Sequence, residues 1–313
     1  MLLYWIMIPG RSGSYRSRLK KRRVFTNILF GVLILAIIAL VPMFYPRIRS
    51  HSANDRRQLR SYFEAEAFEY AFLLSGEMLK SRPLDTFLLT VHGFSAYQLA
   101  NAQINAFDTL TYINESIWAL RKALLSRGSS SDGIYYVLGK AYFYKGPEYA
   151  DLAVYFLEKA SAASFKAADI HEYLGLSYAI LGDYRSSVTA FSQSLGEEPS
   201  DLLLLSIAQS YNSLEEFDAA MAYLIHCLEI SRDFNTINAA RLLLANILLK
   251  TGDIPAAEEE YLKLIEISGD NAEAHYQLGE LYVQMGDLTR AIAEWRRAVR
   301  IDPAHGPARR RLN

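Results

Sequence analysis

Residues 272–305 read AEAHYQLGELYVQMGDLTRAIAEWRRAVRIDPAH, and this stretch decides the fold. Leu278-Gly279 is followed by Tyr282, then by Ala291, Trp295, Ala298 and Pro303. Two amphipathic helical patterns flank the Gly286-Asp287 pair, and Pro303 closes the second. About 34 residues upstream the same register returns as Leu244-Ala245, Leu248, Gly252-Asp253, Ala257 and Tyr261. It returns again as Ile207-Ala208, Tyr211, Phe217, Ala220 and Cys227, followed by about three extra residues around Asn235. Before that come Leu174-Gly175, Tyr178, Gly182-Asp183, Tyr184, Phe191 and Pro199. The earliest regular copy has Leu138-Gly139, Tyr142, Gly146, Ala153, Leu157 and Ala160, with two residues inserted near Pro147. Self-similarity at such a period is the mark of a repeat architecture.

The pattern L-G-x-x-Y…A-x-x-x-F-x-x-A…P resembles the tetratricopeptide repeat (TPR) family. The resemblance implies an all-α solenoid of helical hairpins, a right-handed superhelix, with five units at 132–167, 168–200, 201–237, 238–271 and 272–305. Each unit is two antiparallel helices that cannot bury their apolar faces alone. The small residue beside the leucine (Gly139, Gly175, Ala208, Ala245, Gly279) lets the two helices approach. Ala153, Ala220, Ala257 and Ala291 serve the same contact from the second helix. The large residue at Phe191, Tyr261 or Trp295 packs on the next unit, the Gly-Asp pairs make the turns, and Pro199 and Pro303 stop the second helices.

Upstream the register decays. Pro83 and Gly93 hold the phase of one more first helix starting near Thr86, but its second helix, with Ser116, Leu120 and Ala123, arrives about eleven residues late. Arg60 to Lys80 reads as a lone second helix. Residues 60–131 are therefore a degenerate helical region, and the run from Ser126 to Gly133 reads as a flexible joint to the regular array. At the other end, residues 306–313 read as a basic tail where a capping helix is expected. That leaves an apolar edge on the last repeat, open to a partner or to self-association with a second copy.

Val24 to Tyr45, VFTNILFGVLILAIIALVPMFY, carries no charge. Roughly 20 such residues cross a bilayer core at the helical rise. A basic segment, residues 1–23, precedes it and a linker, 46–59, follows. The length and the Pro46-Arg47-Ile48-Arg49 flank favour an uncleaved anchor over a signal peptide. Seven Lys or Arg residues lie before the span and five just after it. That bias expects a cytoplasmic N-terminus and an extracytoplasmic array, periplasmic if the source is bacterial. Met1 to Ile8 is too short to span. It reads as an interfacial tether or as a start placed upstream of Met7.

The formal net charge of −1 hides an asymmetry. Residues up to 60 hold twelve basic side chains against Asp55, so the rest of the chain is acidic by twelve. An acidic body argues against nucleic acid, which needs a basic footprint. Cys227 is the only cysteine, which excludes a disulfide framework within one chain.

The TPR resemblance implies that the concave face, lined by first helices, binds a peptide or helix. Its second, fifth, ninth, twelfth and thirteenth positions include Tyr136, Lys140, Phe143 and Tyr144, then Asp169, Glu172, Leu176 and Ile180. Leu205, Gln209, Asn212, Leu242, Asn246, Lys250, Tyr276 and Glu280 follow. This lining is aromatic, aliphatic and amide, which expects an apolar peptide or amphipathic helix, its backbone met by Gln209, Asn212 and Asn246. The alternative is a superhelix wall that binds nothing, or that packs on residues 60–125. No cofactor or metal is expected. His171 and His275 share a repeat position and read as packing residues. His171-Glu172 lacks the second histidine of a zinc helix, since residue 175 is glycine. Cys227 reads as an inert core thiol, and Ser116 of the Asn114-Glu-Ser116 sequon reads as packed. No acid, base and nucleophile recur at usable spacing, so an enzyme is not expected. The expected function is a membrane-anchored TPR scaffold or adaptor in envelope assembly, secretion or chaperoning. A cytoplasm-facing scaffold and a component of a solute-transport system are the alternatives.

Overall fold

The computed structural model describes residues 53–125, 132–163, 165–196 and 198–313, and these are helices joined by turns. The chain divides into two compact units, one ending at Leu74 and one running from Ser75 to Asn313. The segment 24–45 lies outside the described residues. Among the described residues no helix is long and apolar enough to cross a membrane.

In the first unit, α1 covers residues 53–64, so the expected linker is already helical by residue 53. The single helix expected from Arg60 to Lys80 is broken. Glu66 adopts φ 56°, and the Ala67 N–H turns back to the Tyr62 carbonyl at 2.9 Å. This is a left-handed helix stop made without glycine, and α2 (Phe68–Ser81) then starts on a new axis.

The second unit opens with the hairpin α3 (Thr86–Asn101) and α4 (Ala106–Leu125). Gly93 faces Leu120: a Cβ on Gly93 would stand 2.5 Å from Leu120 Cγ. The late second helix thus meets its glycine in the same way as in the regular repeats, but in a longer hairpin. Relative to the last repeat, α3 runs three residues further past its glycine, the turn holds one more, and α4 starts seven residues earlier relative to the residue on the glycine. Eleven residues are almost three helical turns, so the insertion preserves the packing face.

Five hairpins follow: α5 (Asp132–Lys145) with α6 (Ala150–Ala162), α7 (Ile170–Ile180) with α8 (Tyr184–Ser194), and α9 (Asp201–Ser213) with α10 (Phe217–Ile230). The last two are α11 (Phe234–Thr251) with α12 (Ile254–Ile267), and α13 (Ala272–Gln284) with α14 (Leu288–Ile301). The expected flexible joint is corrected in part. Asp132 and Gly133 already belong to α5, and α4 packs directly on α5, where Arg121 Nη1 donates to the Tyr142 hydroxyl at 3.0 Å. Residues 126–131 lie outside the described set. The extra residues near Asn235 become an added turn at the start of α11, and those near Pro147 form a 3-10 turn, Pro147–Tyr149.

Each Gly-Asp pair performs two tasks. Gly182, Gly252 and Gly286 have φ of 76°, 87° and 79° and end the first helix. The following Asp183, Asp253 and Asp287 accept the N–H three residues on and cap the second helix. In the third repeat Glu215-Glu216 replaces the pair. Glu215 takes φ 60°, and Glu216 makes no side-chain cap.

Where the first helix carries glycine, at Gly139, Gly175 and Gly279, the large residue of the second helix lies on that glycine. Phe191 covers Gly175 and also packs with Leu203 and Ile207. The expected bare edge on the last repeat is likewise corrected. Residues Gly306–Leu312 form a short helix, α15, that buries Ala308 against the cluster of Trp295 and Ala298. Arg311 stacks over the Trp295 ring at 5.6 Å. The segment caps the array, which removes the physical basis expected for self-association through that edge.

Candidate functional site: the face of the first helices

Among the described residues, successive first helices of the array touch one another, and successive second helices have no comparable contact. The first helices therefore line the tighter, inner side, and their exposed positions form the candidate site.

Its N-terminal end is occupied by the protein's own side chains. The Tyr136 hydroxyl donates to Asp169 Oδ1 at 2.7 Å, and Lys140 Nζ donates to Asp169 Oδ2 at 2.7 Å. Lys140 also sits 4.4 Å from the centre of the Tyr173 ring, and Phe143 meets that ring edge-on at 5.1 Å. Tyr144 is hydrogen-bonded to Tyr173 through the two hydroxyls. Burial disfavours the Asp169 carboxylate, but the bonds from Lys140 and Tyr136 outweigh this and hold its pKa below the ordinary value. Burial, then the bond to Asp169, raises the Tyr136 phenol. Lys140 is thus bound within the fold and is not a free groove cation.

Two openings follow. The first is a cavity of about 370 Å³ lined by Phe143, Leu176, Ile180, Tyr184, Gln209 and Ser213, with fully buried Phe191 at its base. The second, of about 320 Å³, is lined by Asn212, Leu243, Asn246, Leu249, Lys250 and Gln277. Asn246 Oδ1 accepts the Tyr261 hydroxyl at 2.6 Å, which leaves its NH₂ as the group it can offer. Asn212 Oδ1 is buried and has no hydrogen-bond partner. A buried acceptor without a partner is costly.

The structure thus brings Phe143, Leu176, Ile180, Gln209, Asn212, Asn246 and Lys250 of the expected set to these openings. It places others elsewhere. Leu205 is 7% exposed and belongs to the core with Leu204, Ala208 and Leu224. Leu242 packs half-buried against the last core cluster. Tyr276 stacks on His305 at 5.2 Å, and Glu280 is paired with Arg311 of α15, so the cap engages both. From α9 onward the sixth position of each unit lines the openings and the fifth does not: Ser206 lines the first, and Leu243 and Gln277 the second. Sequence reasoning missed these three. The signal available was polarity at the sixth position, serine and glutamine, against leucine at the fifth position of two units.

Of the remaining candidates, His275, Cys227 and Ser116 are accounted for by packing. His275 Nδ1 lies 2.6 Å from Glu294 Oε2, both buried. His171 lines a separate opening with Glu158, Tyr178 and Gln193. Cys227 is buried, with its thiol pushed up to about 11 by burial and then by Asp201. Ser116 is fully buried in α4. Among the described residues no three His, Cys, Asp or Glu converge as a metal site.

Sequence profiles described as TPR repeat match residues 245–286, and profiles described as Tetratricopeptide repeat match 203–234 and 272–305. Among curated proteins, the chain is 29% identical over 103 residues to the Protein CTR9 homolog of Arabidopsis thaliana, covering 33% of this chain and 9% of that protein. It is 26% identical over 141 residues to the BBSome complex member BBS4 of Bos taurus, covering 45% of this chain and 26% of that protein. The matches thus span only about a tenth and a quarter of these relatives. Among solved structures, the C-terminal part of a TPR repeat-containing protein from Cytophaga hutchinsonii superposes with a TM-score of 0.61 at 15% identity, over 82% of this chain and 99% of that one. That likeness concerns the fold.

Proposed function

We infer that this chain, which carries tetratricopeptide repeats, is a membrane-anchored scaffold that holds an apolar segment of another protein across its first-helix face. One observation carries the reading: the apolar opening at Phe143, Leu176 and Ile180 adjoins an amide-lined one to which Asn212, Asn246 and Gln277 contribute. Apolar pockets select side chains, and amides beside them meet the peptide backbone. An amphipathic helix or extended strand with apolar residues along one side suits both. The array is already bonded internally at Tyr136, Lys140 and Asp169, so the segment lies over α7, α9 and α11 and meets α5 only at Phe143.

Anchoring rests on the uncharged stretch Val24–Tyr45 and its basic flank. The flanking charges favour a cytoplasmic N-terminus and an extracytoplasmic array, where a scaffold would serve envelope assembly, secretion or chaperoning. A C-terminal reporter active on only one side of the membrane tests that orientation; activity on the cytoplasmic side reverses it. The binding face is tested by affinity capture of the intact chain from its own membranes after mild crosslinking. Ile180→Asp combined with Asn212→Leu should lose the captured partner at least ten-fold with unfolding unchanged. Full retention would move the site off this face.

A further inference from the structure

The hairpin α3–α4 ends unlike the regular hairpins. Three of their turns carry Gly-Asp, and the apolar residues in them, such as Leu181 at 48% and Met285 at 45%, are only partly exposed. Its turn is the sequence Ala102-Gln103-Ile104-Asn105, and it stands further from the packed crossing because α4 is seven residues longer on that side, roughly 10 Å of helix. Several polar side chains at this end are engaged within the hairpin itself. Gln103 Nε2 donates to the Leu99 carbonyl at 2.9 Å and closes α3. Asn105 Oδ1 accepts the Asp108 N–H at 2.8 Å, and Asn105 Nδ2 donates to Asp108 Oδ2 at 2.6 Å, so the two side chains cap α4 together. Thr109 Oγ1 donates to the Asn105 carbonyl at 3.0 Å. Beside the exposed Asn101, Asn105 and Thr111, the large side chains that point outward are apolar: Ile104 is fully exposed, Phe107 is 79% exposed, and Leu110 follows one turn on. The tip is therefore an ordered apolar protrusion. From Thr86 to Asn114, His92 aside, Asp108 is the only charged residue, and it is already engaged.

We propose that this tip inserts into the interfacial layer of the lipid bilayer, and so holds the array against the membrane. The proposal rests on the reading of Val24–Tyr45 as an anchor. A convex apolar tip without cations suits a fluid apolar layer that needs no matching pocket. It also predicts no dependence on anionic lipid. The tether makes a weak contact sufficient. Between Tyr45 and Ser75 two stretches, 53–64 and 68–74, are helical, so the second unit starts within about 65 Å of the anchor even at full extension. Insertion is then an intramolecular step at high effective concentration.

The test uses the full chain reconstituted into phosphatidylcholine vesicles. A single label is placed through Ala106→Cys, which keeps Ile104 and Phe107. Cys227 is buried with a raised thiol pKa and stays unlabelled. A second preparation carries the label through Met285→Cys on the turn of the last repeat. Spin-labelled lipid should quench the first label at least two-fold and leave the second unchanged, and aqueous iodide should show the reverse. Ile104→Asp with Phe107→Asp should abolish the lipid quenching, while adding phosphatidylserine should not change it. Equal iodide access at both positions, in a chain that stays with the vesicles at alkaline pH, overturns the proposal. Protection from iodide without lipid quenching also overturns it, in favour of a protein or second copy on the tip. A chain that leaves the vesicles at alkaline pH refutes the anchor itself. In that case lipid quenching on added vesicles still upholds the tip, and its absence rejects both.

Discussion

Gly279 lies directly beneath the Trp295 indole: a Cβ on it would stand 2.5 Å from Trp295 Nε1 and 3.1 Å from the Ala291 carbonyl oxygen. The same relation joins Gly175 to Phe191, Gly139 to Leu157 and Gly93 to Leu120. One backbone thus approaches another at each crossing, and the large side chain that seals the crossing needs the space a methyl group would take. Gly279→Ala should gain about 1 kcal/mol of helix propensity but lose more to overpacking, which typically costs about 1–3 kcal/mol. A lowered urea midpoint with a shifted Trp295 emission is the expected result. An unchanged midpoint would show that the crossing tolerates the methyl group.

Leu205 and Ile180 separate core from groove. Leu205 is 7% exposed and Ile180 is 45% exposed. Leu205→Asp buries a charge without a partner and should unfold the third repeat, seen as lost helical circular dichroism. Ile180→Asp should leave the thermal transition within a few degrees and alter only partner capture.

Asp169 makes the array acid-sensitive. Its folded pKa lies below the ordinary 3.8 despite the opposing effect of burial, because Lys140 and Tyr136 bond the charged form. A lowered folded value means that the ionised group stabilises the fold above pH 3.8, and that this contribution vanishes as pH falls through the lower folded value. Asp169→Asn should therefore cost stability at pH 7, and the gap to the parent should narrow as the pH falls below 3.8. Urea midpoints measured across that range check the sign.

The cap α15 is a stability element. Ala308 is fully buried and Leu312 packs on the same cluster. His305 accepts the Ala308 N–H at 3.2 Å, and its Nε2 lies 3.0 Å from Glu273 Oε2. A chain ending after Pro303 exposes the Trp295 face and should associate with increasing concentration in sedimentation velocity. The intact chain should not associate through this edge. Equal behaviour of the two would show that α15 contributes nothing to closing the array.

Much of the fold was legible because its devices are local. The Gly-Asp pairs encode a left-handed stop followed by an N-cap, and both depend on residues within one turn. The Glu215-Glu216 turn shows the limit. It has the same backbone conformation without the glycine, so only the flanking register exposed it. The break at Glu66 had no register to expose it and was missed. The openings on the first-helix face were legible in part. Repeat phase reached Leu176, Gln209, Asn212 and Asn246, which line them, but a rotation of one residue, about 100° around a helix, carried Leu205 into the core and Ser206, Leu243 and Gln277 to the openings.

By itself the sequence determined the repeat, its period, its turns and the small-on-large crossings, because each depends on spacing along one or two neighbouring helices. Only the tertiary structure decided which side chains remain free. Lys140 is bound by Asp169 from the next repeat, and Glu280 by Arg311 from the cap. It also decided that the eleven-residue delay after Gly93 lengthens a hairpin instead of ending the array. The physical reason is the same in each case. Burial and pairing depend on how successive helices rotate and cross, and repeat phase alone does not specify that rotation to the nearest residue.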